Sequence, residues 1–118
     1  KEAVQVGLAL GLDVVDINSK PAQMWASADR GDVYEELDGF LEGRTSRSNW
    51  KASMAQDVAK GRRSEIDFMN GLVSRRGVET KVHTPYNDAI VQVMGDIDAK
   101  RITPGPEVIE RILDKVRS

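Results

Sequence analysis

Two short segments in the middle of the chain carry residue types that could bind an anion. Ser53-Met54-Ala55-Gln56 and Ser64-Glu65-Ile66-Asp67 both fit the capping box, a serine followed three residues later by a side chain that reaches back to the helix start. Gly61-Arg62-Arg63 lies between them and predicts a turn. A helix start carries free N–H groups and a partial positive charge, so two neighbouring starts favour an anion nearby. Because most capping boxes only cap helices, this pattern alone is a weak indication of a site.

A longer stretch around these segments resembles a known family. The run SMAQDVAKGRRSEIDFMNGLV, which begins at Ser53, is followed after a short gap by HTPYNDAI. Together they are similar to the signature of the C-terminal domain of ketopantoate reductases (2-dehydropantoate 2-reductases). The elements S-M-x-Q-D, G-R-x-[ST]-E-I-D, N-G and T-P-x-N are all present in the family's order and spacing, and a weaker resemblance extends over most of the chain.

The resemblance implies roles for five residues. In this family the serine of S-M-x-Q-D and the residues after it bind the carboxylate end of the substrate. This implies that Ser53 contacts a small 2-keto acid, with backbone help from Met54, Ala55 and Gln56. The glutamate of the E-I-D element contacts the nicotinamide cofactor through ribose hydroxyls, which implies that Glu65 contributes to binding NADP.

Other residues of the motif are expected to have structural roles. Asp67 is predicted to be the capping partner of Ser64, and Asn70-Gly71 and Asn87 are predicted to position helices. Ile66, Phe68, Met69, Leu72 and Val73 are predicted to pack between helices. His83 is the single histidine of the chain, and a lone histidine in a turn is a poor candidate for a base or a metal ligand.

The family's reductases also need parts that this sequence does not contain. One is a strand–GxGxxG–helix unit that binds the dinucleotide, whereas Gly7 and Gly11 lie in a helical run. Another is a lysine general acid with a nearby asparagine, and Lys1, Lys51 and Lys60 do not have that context. Since the chain begins with lysine rather than methionine, we expect both parts to lie upstream. The catalytic lysine would then be outside this chain, and the chain alone should not be active.

These considerations predict one all-α domain over residues 1–118, the helical bundle of a two-domain reductase similar to 6-phosphogluconate dehydrogenase. It would bind substrate, pack against its own N-terminal Rossmann domain and form a homodimer. The intact enzyme would reduce ketopantoate with NADPH. Two alternatives remain open: an NADP-dependent reductase of another 2-keto acid, and a helical interaction module without chemistry. The loop from Arg44 to Lys51 departs from the family's usual lead-in to the serine.

The amino-acid composition agrees with an all-α domain and argues against several other classes of protein. Apolar residues make up 40% of the 118 residues and aromatic residues only 5%, which favours aliphatic helix packing. The net charge of −2 argues against a general nucleic-acid binder, and no apolar run is long enough for a membrane span. The chain has no cysteine, which fits a cytoplasmic protein, and no Cys/His cluster or acidic triplet predicts a metal site.

Helix boundaries follow from local signals. A first helix with Glu2 on its surface should end at Gly11, a second should begin at Asn18–Pro21, and a third should run from Asp32 to Gly43. The helix of the second capping box should end with Gly77 as its cap. Thr84-Pro85 should start the next helix, and Thr103–Pro106 should separate it from a last helix that begins at Pro106 or Glu107.

Overall fold

The computed structural model describes residues 1–42 and 53–118, with only the backbone of Ser53 and Met54. The predicted third helix end at Gly43 and the loop from Arg44 to Lys51 lie outside the described residues. Seven α-helices and one 3₁₀-helix occur in the described ranges: α1 (Glu2–Ala9), α2 (Ala22–Ala26), α3 (Gly31–Glu42), α4 (Ser53–Ala59), the 3₁₀-helix (Ile66–Phe68), α5 (Asn70–Thr80), α6 (Pro85–Asp98) and α7 (Val108–Arg117).

The all-α prediction is confirmed. Across 1–42 and 53–118 no β-strand is present, and the only strand-like pairing there is an isolated bridge between Ile17 and Lys20. The contacts divide the chain into two compact units, Lys1–Asn49 and Trp50–Ser118, which we call unit 1 and unit 2. The prediction of a single domain over residues 1–118 stays a prediction.

In unit 1, two side chains donate hydrogen bonds to backbone carbonyls that are distant in sequence. The Gln5 side-chain amide donates to the Ala26 carbonyl at 3.0 Å, and the Trp25 indole N–H donates to the Ile17 carbonyl at 3.0 Å. Gly11 has a φ of +79° and follows the last turn of α1, so its predicted role as a helix cap is confirmed. The prediction that Glu2 lies on the surface is wrong, because it is buried with 7% of its area exposed.

Unit 2 is built around α6. Val93 and Ile97 of α6 are buried with Val108 of α7, and four half-buried side chains pack against them: Val58, Met94, Ile102 and Ile112. Helix α6 also contacts α5 and the 3₁₀-helix. The predicted break at Thr103–Pro106 is confirmed, since α7 begins at Val108. A buried aliphatic cluster of this kind supplies most of the driving force for folding.

The start of α6 forms where the sequence predicts it. Thr84 is the N-cap residue and Pro85 is the first helical residue, where its missing N–H leaves no intrahelical bond unmade. The buried Thr84 hydroxyl donates to the Asp88 carboxylate at 3.0 Å, one turn further along the helix. The Asp88 N–H donates to the Thr84 carbonyl at 2.9 Å. The first turn of α6 is therefore held by both side-chain and backbone bonds.

The predicted end of α5 at Gly77 is wrong. The helix continues to Thr80, and Lys81 is the left-handed cap residue, with a φ of 59°. Gly77 lies inside the helix, and a Cβ built there would stand 2.9 Å from both the Thr84 methyl carbon and the Val82 carbonyl oxygen. The glycine is required by the close approach of the following turn, rather than by a left-handed backbone.

The side chains from the 3₁₀-helix to the start of α5 are more exposed than the sequence predicts. Ile66 is buried with 3% of its area exposed, but Phe68 is 79% exposed, and both Met69 and Leu72 are exposed. The predicted packing role is therefore correct for Ile66 and wrong for these three side chains. The reason is that this segment is a single 3₁₀ turn followed by a new helix start, so its residues do not share the face that one continuous helix would give them.

We predict opposite effects on stability from the same substitution at two helical glycines of unit 2. Gly95 lies inside α6 with nothing within 4 Å of a built Cβ, so Gly95→Ala should stabilise the chain by up to ~1 kcal/mol through helix propensity. Gly77→Ala should destabilise it by about 1–3 kcal/mol, because the carbonyl of Val82 must move. Urea denaturation of both variants measures the difference. Equal stabilisation by both substitutions would contradict the close approach at Gly77.

Candidate functional site

The first half of the motif lies on α4 and the turn that follows it. Ser53 is the first residue of the described α4, and Ala55 and Gln56 are exposed on its first turn. The Ser53 and Met54 side chains lie outside the described part of the chain. The helix ends in a turn at Gly61, where the φ is +71° and the Lys100 ammonium donates to the Gly61 carbonyl at 3.2 Å. The turn predicted at Gly61 is confirmed.

The second capping box does not form as predicted. The backbone N–H of Ser64 donates to Asp98 Oδ1 at 3.0 Å, and the Ser64 hydroxyl donates to Asp98 Oδ2 at 2.8 Å. Asp67, the expected capping partner, instead accepts a bond from the Arg63 guanidinium at 3.0 Å. The hydroxyl is thus committed to a partner 34 residues away, and the segment continues as a 3₁₀ turn rather than as a regular α-helix.

Glu65 stands between two residues whose side chains are buried. Ser64 precedes it with 7% of its area exposed, and Ile66 follows it with 3% exposed. Glu65 itself is exposed, and its carboxylate makes no hydrogen bond or ion pair with the residues that the structure describes. Its carbonyl accepts the Phe68 N–H at 3.0 Å, which closes the 3₁₀ turn. The backbone at Glu65 is therefore held while its carboxylate is available to a ligand.

The remaining motif residues connect α5 to its neighbours. The Asn70 side-chain amide donates to the Asn87 side-chain oxygen at 2.8 Å, a direct bond between the first residue of α5 and the first turn of α6. Gly71 is buried, and a Cβ there would lie 3.3 Å from the Ile66 carbonyl oxygen. These contacts agree with the structural roles predicted for the three residues.

Asp98 is the residue of this region that the sequence analysis missed. It is the last residue of α6, and no local motif indicates a role for it. It also lines a cavity of about 270 Å³ together with Arg62, Lys100 and the apolar side chains of Val58, Ile97, Ile102 and Pro104. None of the residues predicted to bind substrate or cofactor is among the described residues that line this cavity.

His83 has the surroundings of a surface residue. It is exposed and lines a shallow cavity of about 260 Å³ near the start of α6, beside Thr84 and Asp88. Within residues 1–42 and 53–118 no group of three or more His, Asp or Glu side chains could hold a metal ion. The same ranges contain no helix that is both long enough and apolar enough to cross a membrane.

The sequence is similar to a known protein family and to two known proteins. The family model described as ketopantoate reductase PanE/ApbA C terminal matches residues 1–98. The chain is 37% identical over 71 residues to 2-dehydropantoate 2-reductase of Vibrio cholerae serotype O1, which is 60% of this chain and 24% of that protein. It is 49% identical over 43 residues to 2-dehydropantoate 2-reductase of Lactococcus lactis subsp. lactis, which is 36% of this chain and 14% of that protein. No solved structure gives a significant match.

The chain thus spans a quarter or less of the length of these two relatives. The match to the family model, in contrast, covers most of the chain and includes α1 to α6. It contains the complete motif from Ser53 to Asn87 and the all-α architecture that the resemblance implied. The chain belongs to the ketopantoate reductase PanE/ApbA C-terminal family.

Proposed function

We propose that this chain is the C-terminal helical domain of an NADPH-dependent 2-dehydropantoate 2-reductase. The intact enzyme would reduce ketopantoate to pantoate in the pathway to pantothenate and coenzyme A. The observation that carries the proposal is the family match over residues 1–98, which includes every fixed residue of the motif. Both relatives are 2-dehydropantoate 2-reductases, which supports the same reaction.

Ser53 is proposed to bind the carboxylate of the substrate. A serine hydroxyl can donate to a carboxylate oxygen, and the first turn of a helix presents backbone N–H groups that favour an anion. Ser53 is the first residue of the described α4, so Met54, Ala55 and Gln56 occupy that first turn. These four residues would bind the carboxylate, which all 2-keto acids share. The keto carbonyl of the substrate would then face the cofactor.

Glu65 is proposed to bind the cofactor. Ribose hydroxyls need an acceptor, and the exposed Glu65 carboxylate, with no partner among the described residues, fits that need. When bound, NADPH supplies the hydride that reduces the keto carbonyl. Most of the cofactor's contacts are assigned to a preceding Rossmann domain, because this chain contains no strand–GxGxxG–helix unit.

The proton that completes the reduction is also assigned to the preceding part of the protein. Reduction of a carbonyl leaves an alkoxide, which a general acid must protonate. The family's lysine for this step has no counterpart in the motif region of this chain. We therefore expect the 118-residue chain alone to be inactive, and its first partner to be its own N-terminal domain. The homodimer and the cytoplasmic location stay predictions.

Replacing Ser53 tests the substrate site. In the full-length protein, Ser53→Ala should raise the KM for ketopantoate by about 10-fold to 100-fold, because a hydrogen bond to a charged group is lost. The KM for NADPH should not change. Ser53→Thr keeps the hydroxyl and should retain most of the affinity. Steady-state kinetics with each substrate varied in turn would contradict the assignment if the alanine variant matched the wild type for ketopantoate.

Replacing Glu65 tests the cofactor site independently. Glu65→Gln should raise the KM for NADPH by about tenfold, because a neutral amide is a weaker acceptor for ribose hydroxyls than a carboxylate. The matched control is Glu79→Gln, which removes one exposed charge on α5 that pairs with Arg76. Equal KM values for NADPH in the wild type and in both variants would refute the role of Glu65. If neither site variant changed any kinetic constant, the assignment of the substrate and cofactor sites to Ser53 and Glu65 would be wrong.

A further inference from the structure

Asp98 makes a long-range contact that nothing in the local sequence requires. Its two carboxylate oxygens accept the backbone N–H and the hydroxyl of Ser64, at 3.0 and 2.8 Å. These bonds join the last residue of α6 to the segment that carries Glu65, across 34 residues of sequence. Each oxygen accepts a hydrogen bond from a different group of Ser64. The two bonds therefore restrain both the backbone and the side chain of that residue.

The position of Asp98 is electrostatically unfavourable for an isolated helix. The C-terminal end of a helix carries a partial negative charge, so lysine or arginine is favoured there and aspartate is not. The last turn of α6 contains no basic residue and has a second acid, Asp96, which pairs with Arg101 at 3.0 Å. Asp98 accepts two bonds from Ser64 instead, and hydrogen bonds to an ionised acceptor are the stronger kind. The tertiary contact therefore offsets the local electrostatic cost.

The restraint acts directly beside the proposed cofactor ligand. Ser64 is fixed by Asp98 on one side of Glu65, and Ile66 is buried on the other side with 3% of its area exposed. Glu65 is left with a held backbone and a carboxylate that has no partner among the described residues. A residue whose backbone is already fixed loses less conformational entropy on binding a ligand than one whose backbone must also be ordered.

We propose that Asp98 is a positioning residue for the cofactor site: by holding Ser64 it directs Glu65 towards the ribose of the dinucleotide. The inference rests on the proposed role of Glu65. Asp98 does not touch the cofactor, and its effect is transmitted through Ser64. Removing its carboxylate therefore changes the affinity for NADPH and leaves the binding of the keto acid and the chemical step largely unchanged.

The test uses the full-length protein and measures the Kd for NADPH by fluorescence titration, together with kcat and the KM for ketopantoate. Asp98→Ala should weaken NADPH binding by about tenfold, with kcat within about twofold of wild type. Asp98→Asn should restore affinity to within about threefold, because its oxygen can accept the Ser64 N–H and its amide can donate to the Ser64 hydroxyl. The matched control is Asp96→Ala, which removes an acid from the same turn without contacting Ser64 and should leave the affinity unchanged.

A double-mutant cycle separates positioning from a general loss of structure. If Asp98 acts through Glu65, Asp98→Ala should add less than about twofold to the loss already caused by Glu65→Gln. An equal loss in both backgrounds overturns the inference. Should Asp98→Ala fail to fold, Ser64→Ala decides in its place, because it removes only the hydroxyl bond. It should then weaken NADPH binding by about threefold in the wild type and not in the Glu65→Gln background.

The outcomes also distinguish this inference from the function on which it rests. If Glu65→Gln weakens NADPH binding and neither Asp98→Ala nor Ser64→Ala does, the positioning role is wrong and the cofactor role of Glu65 stands. If Glu65→Gln leaves the Kd unchanged, the cofactor role itself fails, and the positioning role falls with it.

Discussion

The close approach of α5 to the start of α6 is the constraint on which the rest of unit 2 depends. A side chain at Gly77 would collide with the Val82 carbonyl and the Thr84 methyl group, so only glycine allows the chain to turn back so tightly. Thr84 then caps α6, which carries the buried core of this unit. The two ends of α6 hold the motif segment: Asn87 bonds to Asn70, and Asp98 bonds to Ser64. The placement of one helix thus determines where the backbone of Glu65 lies.

The features predicted correctly from the sequence are those with local causes. The start of α6 depends on Thr84-Pro85, and the end of α1 on Gly11, so each signal lies within a few residues of the structure it produces. The all-α class follows from an aliphatic composition with few aromatic residues and from the helix-start and helix-end signals along the chain. Errors arose where a tertiary contact outweighs the local signal. The Ser64 hydroxyl binds Asp98 rather than capping its own helix, and Gly77 serves packing rather than a helix end.

The residues of the candidate site also differ in how far the sequence could identify them. The residues assigned to ligands, Ser53 and Glu65, came from a resemblance to a motif and not from physical reasoning about spacing. Asp98 could not be found that way, because an aspartate at the end of a helix belongs to no recognised motif. The available signal was its conflict with the helix dipole: two acids and no base in the last turn of α6. Such a conflict indicates that a tertiary partner is present, but only the structure identifies Ser64 as that partner.

The most direct test of the account is the rate of NADPH oxidation by the full-length protein as the concentration of ketopantoate is varied. We predict a saturable, ketopantoate-dependent rate, and no rate from the 118-residue chain alone. Oxidation with a different 2-keto acid but not with ketopantoate would contradict the proposed substrate and leave the reductase reading in place. No oxidation with any 2-keto acid would contradict the central claim, and this helical domain would then be a binding module without chemistry.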